Sequence, residues 1–246
     1  MSDFKEHTIG PVTLICGNCI DILRHMPSIA DLILSDPPYK LTSGGKNSQV
    51  MSGKFSNSRY NNSGSLMRIT GWEEMARPIF EAASPNADAY IMANDKQIFP
   101  AQGAFTGAGW KLHNLLTWKK ESPTRNRWYM KDCEYILYLW KGKAKTINNP
   151  GSTQFMPYPR PKNAIHNTQK PIDLLRKLIE NSTQPGQMVV DPFSGSGSTL
   201  VAAMQSGRRA LGIELNPDMF DLSCAWLESE WLKITRNEPR PLCENA

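Results

Sequence analysis

The sequence contains no apolar run as long as about 18 residues, so we expect no membrane-spanning helix. Its first residues lack the cationic stretch and apolar segment of a secretion signal. Cysteine is scarce, with five among 246 residues. An odd count without a secretion signal argues against a disulfide framework. These absences favour a cytoplasmic protein.

Two of the cysteines, Cys16 and Cys19, have the C-x-x-C spacing that is typical of metal ligands. Neither a second pair nor a suitably spaced histidine accompanies them. We therefore expect no metal site, and we interpret both as small residues at the end of a buried strand.

Positive charge is concentrated in the middle of the chain. The net charge is +5, yet residues 1–118 are balanced and residues 178–246 are acidic. Residues 119–145 carry eight Lys or Arg against three acids, and residues 146–177 carry five against one. A local basic excess favours contact with phosphate groups, although a solvated basic surface would have the same composition.

Short apolar runs that predict strands alternate with amphipathic segments that predict helices. The strands are expected at residues 12–16, 30–35, 89–93, 110–119, 134–140, 188–190 and 209–214. The helices are expected at residues 20–26, 72–83, 97–107, 171–182, 198–206 and 218–233. This alternation indicates one α/β domain over residues 1–246, with a largely parallel sheet that is covered on both faces.

A loop rich in Gly and Ser, from Asp191 to Thr199, follows one predicted strand and precedes a helix. Gly195 and Gly197 permit a tight turn and close approach of a ligand to the backbone. Glu214 ends the next strand, where a carboxylate can bind ribose hydroxyls. This layout is typical of a nucleotide-binding crossover, with a purely structural turn as the alternative.

Two kinds of phosphate-binding loop fit this segment poorly. A Walker loop needs a lysine before its final Ser or Thr, and a dinucleotide fingerprint needs a third glycine where Leu200 stands. The pattern therefore favours a nucleoside cofactor without phosphates, such as S-adenosylmethionine.

The segment Asp36-Pro37-Pro38-Tyr39 follows an apolar strand near the N-terminus. The exocyclic amine of a nucleic-acid base is a poor nucleophile because its lone pair is delocalised into the ring. Asp36 and the Pro37 carbonyl can accept its two N–H bonds, and the prolines keep that carbonyl out of a strand ladder. Tyr39 can stack on a flipped base. Asp-Pro-Pro is also a common turn. The preceding strand, the aromatic residue after it and the Gly-rich loop elsewhere in the chain are what favour a catalytic role.

Together these motifs resemble the β class of amino-methylating DNA methyltransferases. In that class the D-P-P-Y loop precedes the cofactor loop, as it does here, which is a circular permutation of the common order. The segment from His166 to Pro171 resembles the family's H-x-T-x-K-P segment, and Glu214-Leu215-Asn216-Pro217 resembles its ribose-binding strand end. The segments Thr117–Lys120 and Glu134–Leu137 resemble its last two strands.

The resemblance implies a Rossmann-like class I methyltransferase fold. Its sheet would be seven-stranded, mixed and mostly parallel, with helices on both faces and an antiparallel last strand. The catalytic residues it implies are Asp36, Pro37, Pro38 and Tyr39. The cofactor-binding residues it implies are Asn18, Cys19, Thr168, Lys170, Asp191, Phe193, Ser194, Gly195, Ser196, Gly197, Ser198, Glu214 and Asn216. Lys170 would face the carboxylate of S-adenosyl-L-methionine.

The chain departs from the family pattern in two places. Asn18 replaces the usual aspartate that contacts the cofactor adenine, although its oxygen can still accept from that amine. The region between the last strand and His166 is short for a separate target-recognition domain. We therefore expect a mobile DNA-contacting loop at residues 40–71 and a short recognition region at about residues 120–165. The expected DNA contacts are Lys40, Lys46, Lys54, Arg59, Lys119, Lys120, Arg125, Arg127, Trp128 and Tyr129.

The sequence thus predicts an S-adenosylmethionine-dependent enzyme that flips adenine out of double-stranded DNA and methylates N6, in a bacterial or phage-infected cell. Adenine enzymes favour Asp in the first position of the motif, whereas cytosine-N4 enzymes often have Ser. A cytosine-N4 enzyme, an inactive cofactor- and DNA-binding regulator, and a methyltransferase acting on RNA or protein are the alternatives. Members of the class often dimerise, so a homodimer is an alternative to a monomer.

Overall fold

The computed structural model describes residues 4–38, 70–124, 128–162, 164 and 169–236. Its strands are β1 (Lys5–Ile9), β2 (Val12–Cys16), β3 (Ala30–Ser35), β4 (Ala83–Ala93), β5 (Lys111–Thr124), β6 (Lys131–Trp140), β7 (Phe155–Pro157), β8 (Met188–Asp191) and β9 (Arg209–Glu214). Its helices are α1 (Cys19–Leu23), α2 (Trp72–Ala82), α3 (Ile98–Gly107), α4 (Ile172–Ser182), α5 (Ser198–Gln205) and α6 (Pro217–Thr235).

All these strands form one sheet in the order β1-β2-β9-β8-β3-β4-β6-β5-β7. Strands β2, β9, β8, β3 and β4 are parallel, whereas β6 lies antiparallel between β4 and β5. The seven strands expected from the sequence form the centre of this sheet, and the Rossmann-like fold is confirmed.

Two further strands bring the number in the described residues to nine, against the seven expected. Strand β1 forms an antiparallel hairpin with β2, and its exposed side chains carry little of the apolar pattern that predicts a strand. Strand β7 has three residues and pairs with β5 at the other edge, where no strand was expected.

The buried side chains form two cores, one on each face of the sheet. Helices α1, α2 and α3 contribute to one core, and α4, α5 and α6 contribute to the other. The central strand β3 is covered on both faces, and Leu32, Ile33 and Leu34 are completely buried. This explains its continuous apolar run, since a strand covered on both sides has no polar face. Within the described residues, we find no helix that is long and apolar enough to cross a membrane.

The order in which strands are added to the sheet reverses between the parallel strands β8 and β3. After β8 the chain crosses to β9 on one side, and after β3 it crosses to β4 on the other. In open parallel sheets, such a reversal creates a crevice at the carboxyl ends of the strands, where ligands bind. Here both the Asp-Pro-Pro segment and the Gly-rich loop begin at this crevice, since they follow β3 and β8 directly.

Candidate active site

The Gly-rich loop that follows β8 is organised by the carboxylate of Glu214 at the end of β9. Glu214 accepts one hydrogen bond from the Gly195 backbone N–H at 2.9 Å and another from the Asn216 N–H at 2.8 Å. Burial raises the pKa of Glu214 above its ordinary value, while these two donors oppose the rise. The sequence prediction paired these two segments, and the structure brings them into direct contact.

Two glycines give this loop its shape. Gly195 has φ +53° and Gly197 has φ +87°, both in the left-handed region that favours glycine. A Cβ added at Gly195 would meet no other atom within 4 Å, so open space lies in front of the backbone there. The Ser223 hydroxyl fixes the other side of the loop by donating to the Gly195 carbonyl at 2.7 Å.

These residues fit a nucleoside cofactor without phosphates. The loop offers open space at Gly195 beside a carboxylate that can accept from ribose hydroxyls. A phosphate group would favour a nearby Lys or Arg, and residues 191–199 contain neither. Ser194, Ser196 and Ser198 are buried within the loop, and Phe193 packs partly against the core.

Asp191 is directed into the protein rather than into the crevice. It is 3% exposed, and its Oδ1 accepts from the Ser35 hydroxyl at 2.6 Å and from the Phe193 N–H at 3.1 Å. Burial raises its pKa to about 6. Its visible role is therefore to hold the Gly-rich loop against β3.

Asn18 and Asn216 both serve as helix caps. The Asn18 side-chain oxygen accepts from the Ile20 N–H at 2.9 Å at the start of α1. The Asn216 side chain accepts from the Met219 N–H at 3.1 Å at the start of α6. The oxygen that was expected to accept from the cofactor adenine thus already has a backbone donor. The neighbouring Cys19 is buried, and its burial raises the thiol pKa to about 12, so this thiol is unreactive.

Asp36 lies at the end of β3 with its side chain 29% exposed, and the following Pro37 is buried. The Lys170 ammonium donates to Asp36 Oδ2. Burial raises the pKa of Asp36, while the positive charge of Lys170 opposes that rise. Lys170 was expected to face the cofactor carboxylate. In the structure its ammonium contacts the proposed catalytic carboxylate, and the expected cofactor contact stays a prediction.

Glu134, which the sequence analysis did not select, stands beside this pair. Its Oε2 lies 3.6 Å from Lys170 Nζ, and its Oε1 accepts from Lys120. Because β6 is antiparallel, its first residues lie at the same edge of the sheet as the carboxyl ends of the parallel strands. A charged residue that begins the apolar run Tyr135–Trp140 was the available signal.

The basic residues expected to contact DNA differ in their surroundings. Lys119 is 34% exposed on its side chain and pairs with Asp132 at 2.8 Å. Lys120 is 10% exposed on its side chain and points inward to Glu134, so this placement does not favour a phosphate contact. Trp128 is 73% exposed and Tyr129 is 92% exposed on the hairpin that joins β5 and β6.

Several sequence-predicted site residues lie outside the described residues. These are Tyr39, Lys40, Lys46, Lys54, Arg59, Arg125, Arg127 and Thr168. Most of the expected loop at residues 40–71 also lies outside them, as do His166 and Asn167 of the H-x-T-x-K-P segment.

Comparison with known proteins agrees with this arrangement. A family profile described as DNA methylase, covering N6 and N4 methyltransferases, matches residues 30–224. Type II methyltransferase M2.MboI of Moraxella bovis is 29% identical over 232 residues, covering 84% of each chain. M2.DpnII of Streptococcus pneumoniae is 29% identical over 234 residues, covering 83% of this chain and 84% of the relative.

Solved structures show the same fold at low sequence identity. The complex of M1.HpyAVI with SAM has a TM-score of 0.66 and 24% identity, covering 87% of this chain and 99% of that chain. The cytosine-N4-specific PvuII DNA methyltransferase has a TM-score of 0.66 and 14% identity, covering 92% and 93%. With its permuted motifs at one crevice and a profile match over most of its length, this chain belongs to the N6/N4 family of DNA methylases.

Proposed function

We propose that this protein transfers a methyl group from S-adenosyl-L-methionine to the N6 amine of adenine in double-stranded DNA. The observation that carries the proposal is the placement of Asp36 beside the Gly-rich loop. Ile33 of β3 pairs with Val190 of β8, so the two segments leave adjacent strands at the same edge of the sheet. A base amine held by Asp36 would therefore lie close to a cofactor bound on that loop.

The chemistry divides between cofactor and protein. The cofactor supplies an electrophilic methyl group on a sulfonium, and the protein contributes position and electrostatics. Asp36 accepts one N–H of the amine, which favours localisation of the nitrogen lone pair. A cofactor held by the Gly-rich loop and Glu214 would supply the methyl group for the new N–C bond, and the electron pair of its C–S bond would remain on sulfur. The nitrogen then loses a proton, and the raised pKa of Asp36 suits this carboxylate to receive it.

One oxygen of Asp36 would accept from the base. Lys170 donates to Oδ2, and among the described residues Oδ1 receives no hydrogen bond. The prolines that follow keep this segment out of the strand ladder, so the Pro37 carbonyl can serve as the second acceptor. Tyr39 would stack on the base.

The choice of adenine over cytosine rests on Asp36. The residue before it, Ser35, is 1% exposed and donates to Asp191, so its hydroxyl is committed to the protein interior. This supports the reading in which the motif begins with aspartate, as in the adenine enzymes that it resembles, and not with serine.

DNA would approach the edge of the sheet at the carboxyl ends of the parallel strands, where the exposed Trp128 and Tyr129 lie between β5 and β6. Lys119, Trp128 and Tyr129 are described residues there that could contact phosphates or bases. We propose residues 40–71 and about 120–165 as the segments that contact the duplex, on a single catalytic domain.

The test is transfer of labelled methyl from S-adenosyl-L-methionine to unmethylated genomic DNA, with RNA and bulk protein as parallel acceptors. Label in DNA alone, lost in Asp36→Asn, is the expected result. Label in RNA or protein would overturn the choice of substrate. Absence of transfer to every acceptor, with the cofactor bound, would favour an inactive binding protein.

A further inference from the structure

Four charged side chains, of which the proposed catalytic carboxylate is the first, form a continuous series of contacts. Asp36 accepts from Lys170, Lys170 lies 3.6 Å from Glu134 Oε2, and Glu134 Oε1 accepts from Lys120. Two ammonium groups thus alternate with two carboxylates. Each oxygen of Glu134 faces a different lysine, so this one side chain joins Lys170 to Lys120.

The four side chains come from separate parts of the fold. Lys120 lies on β5 and Glu134 on β6, while Lys170 precedes α4 and Asp36 follows β3. The side chains of Lys120, Lys170 and Glu134 are 10%, 11% and 21% exposed. At such burial an unpaired charge is costly, so removal of one member leaves its partners uncompensated.

Trp118 provides a surface against which both lysines lie. The Lys120 and Lys170 ammonium groups are 5.1 Å and 6.0 Å from the centre of its ring. The ring itself is fixed, since its Nε1 donates to the Tyr158 carbonyl at 2.8 Å. Cations over an indole face are attracted to it, which limits where these two lysines can move.

We propose that Glu134 is a positioning residue for methyl transfer, anchoring Lys170 beside Asp36 so that Asp36 keeps one carboxylate oxygen for the target amine. This inference rests on the function proposed above. Glu134 does not touch the base or the cofactor in this account. It acts through Lys170, and Lys120 holds its second oxygen.

The proposal predicts how the ionisation of Asp36 responds to each partner. The charged groups that face or lie near Asp36 are Lys170, Lys120, Glu134 and Asp191. The negative charge of Glu134 raises the pKa of Asp36, and the two lysines lower it. Neutralising Glu134 therefore lowers that pKa, whereas neutralising Lys170 raises it.

The experiment measures single-turnover methyl transfer against pH, with enzyme in excess over a methylatable DNA. Transfer needs ionised Asp36, so its rate falls on the acid side. Glu134→Gln is expected to move this acid limb to lower pH and Lys170→Gln to move it to higher pH, each by about one unit. Glu134→Gln is also expected to slow the plateau rate about tenfold, and Glu134→Asp should restore part of that loss.

Asp132→Asn is the matched control, because Asp132 lies on the same strand and pairs with the neighbouring Lys119 at an exposed site. Its acid limb should stay where it is in the wild type. A limb that moves in neither Glu134→Gln nor Lys170→Gln would overturn the proposal, as would movement of both in one direction.

A second measurement does not require activity. Carbon-13 titration of aspartate carboxyl groups follows Asp36 directly, with its signal assigned by its absence in Asp36→Asn. It also separates Asp36 from the neighbouring buried Asp191, whose pKa is raised to about 6. A pKa of Asp36 that falls in Glu134→Gln and rises in Lys170→Gln supports the proposal. A pKa that is the same in both variants as in the wild type refutes it. Wild-type protein that methylates nothing would instead refute the proposed function.

Discussion

The Ser35 hydroxyl donates a 2.6 Å hydrogen bond to Asp191, and this contact joins the two loops of the crevice. Ser35 is the last residue of β3 and immediately precedes Asp36, while Asp191 ends β8 and begins the Gly-rich loop. Both side chains are buried. The contact therefore fixes the proposed base-binding segment relative to the proposed cofactor loop.

Replacement of Asp36 by Asn should slow methyl transfer by at least about 100-fold, because the amide is a weaker acceptor for the developing positive charge on the amine. Cofactor affinity should change little, since Asp36 is not part of the Gly-rich loop. Single-turnover rates and calorimetric cofactor binding measure the two effects. Full activity of Asp36→Asn would refute its catalytic assignment.

Replacement of Glu214 by Gln should weaken cofactor binding about 10- to 100-fold, through loss of charge-assisted hydrogen bonds to ribose and to the loop. Methyl transfer at saturating cofactor should be far less affected. Calorimetry gives the affinity and a saturation series gives the rate. An unchanged affinity would remove Glu214 from the cofactor site.

Gly195→Ala should reduce cofactor affinity, because alanine is strained at φ +53° and its methyl group enters the open space before the loop. Gly207→Ala is the matched control, since Gly207 has φ +72° and equally open surroundings at the end of α5. Both variants should lose about 1–2 kcal/mol of stability. Equal cofactor affinities in the two would contradict a cofactor role for the loop.

Asp191 should make the protein less stable as pH rises from about 4 to about 6. Its folded pKa of about 6 lies above the ordinary value of 3.8, so the folded state binds the proton more tightly. The stability that protonation contributes is therefore complete below the unfolded pKa and is lost as pH passes through the folded pKa. The loss amounts to about 2–3 kcal/mol.

Urea unfolding at several pH values, compared between wild type and Asp191→Asn, measures this contribution as a difference. The isosteric amide keeps an acceptor for Ser35 but cannot titrate. If both proteins lost stability equally over this interval, the raised pKa of Asp191 would be wrong.

Lys119 and Lys120 are adjacent in sequence but should respond differently to substitution. Lys119→Gln should reduce the salt dependence of DNA affinity by about one unit of slope, as loss of a phosphate contact does. Lys120→Gln should leave the slope unchanged, because Lys120 is buried against Glu134. Binding isotherms over a range of salt concentrations test both. A larger change of the salt slope in Lys120→Gln than in Lys119→Gln would contradict the inward placement of Lys120.

The sequence predicted the parallel strands β2, β3, β8 and β9 well because they are short, mostly apolar runs with clear ends. Strands β4 and β5 extend beyond their predicted bounds, over polar residues that carry no apolar pattern. The predicted strand at residues 209–214 matches β9, and the predicted helix at residues 72–83 differs from α2 by one residue. Strand β1 escaped prediction because it is largely exposed, and β7 because three residues carry no periodic pattern. Both depend on a partner strand rather than on their own composition.

The motif residues were found by sequence, but their contacts were not. The loop sequence indicated that Glu214 and Gly195 act together, and their hydrogen bond agrees with this. The pairing of Lys170 with Asp36 could not be predicted, since 134 positions separate them. Glu134 was missed for the same reason, because its importance comes only from the lysines that tertiary packing places beside it.

In the proposed reaction, Asp36 presents the N6 amine of adenine for methylation. Nucleoside mass analysis of genomic DNA methylated by the wild-type protein tests it most directly, with Asp36→Asn analysed in parallel. We expect N6-methyladenine in the wild-type reaction and almost none with the variant. N4-methylcytosine would contradict the choice of base, and N6-methyladenine formed equally well by Asp36→Asn would contradict the role of the carboxylate.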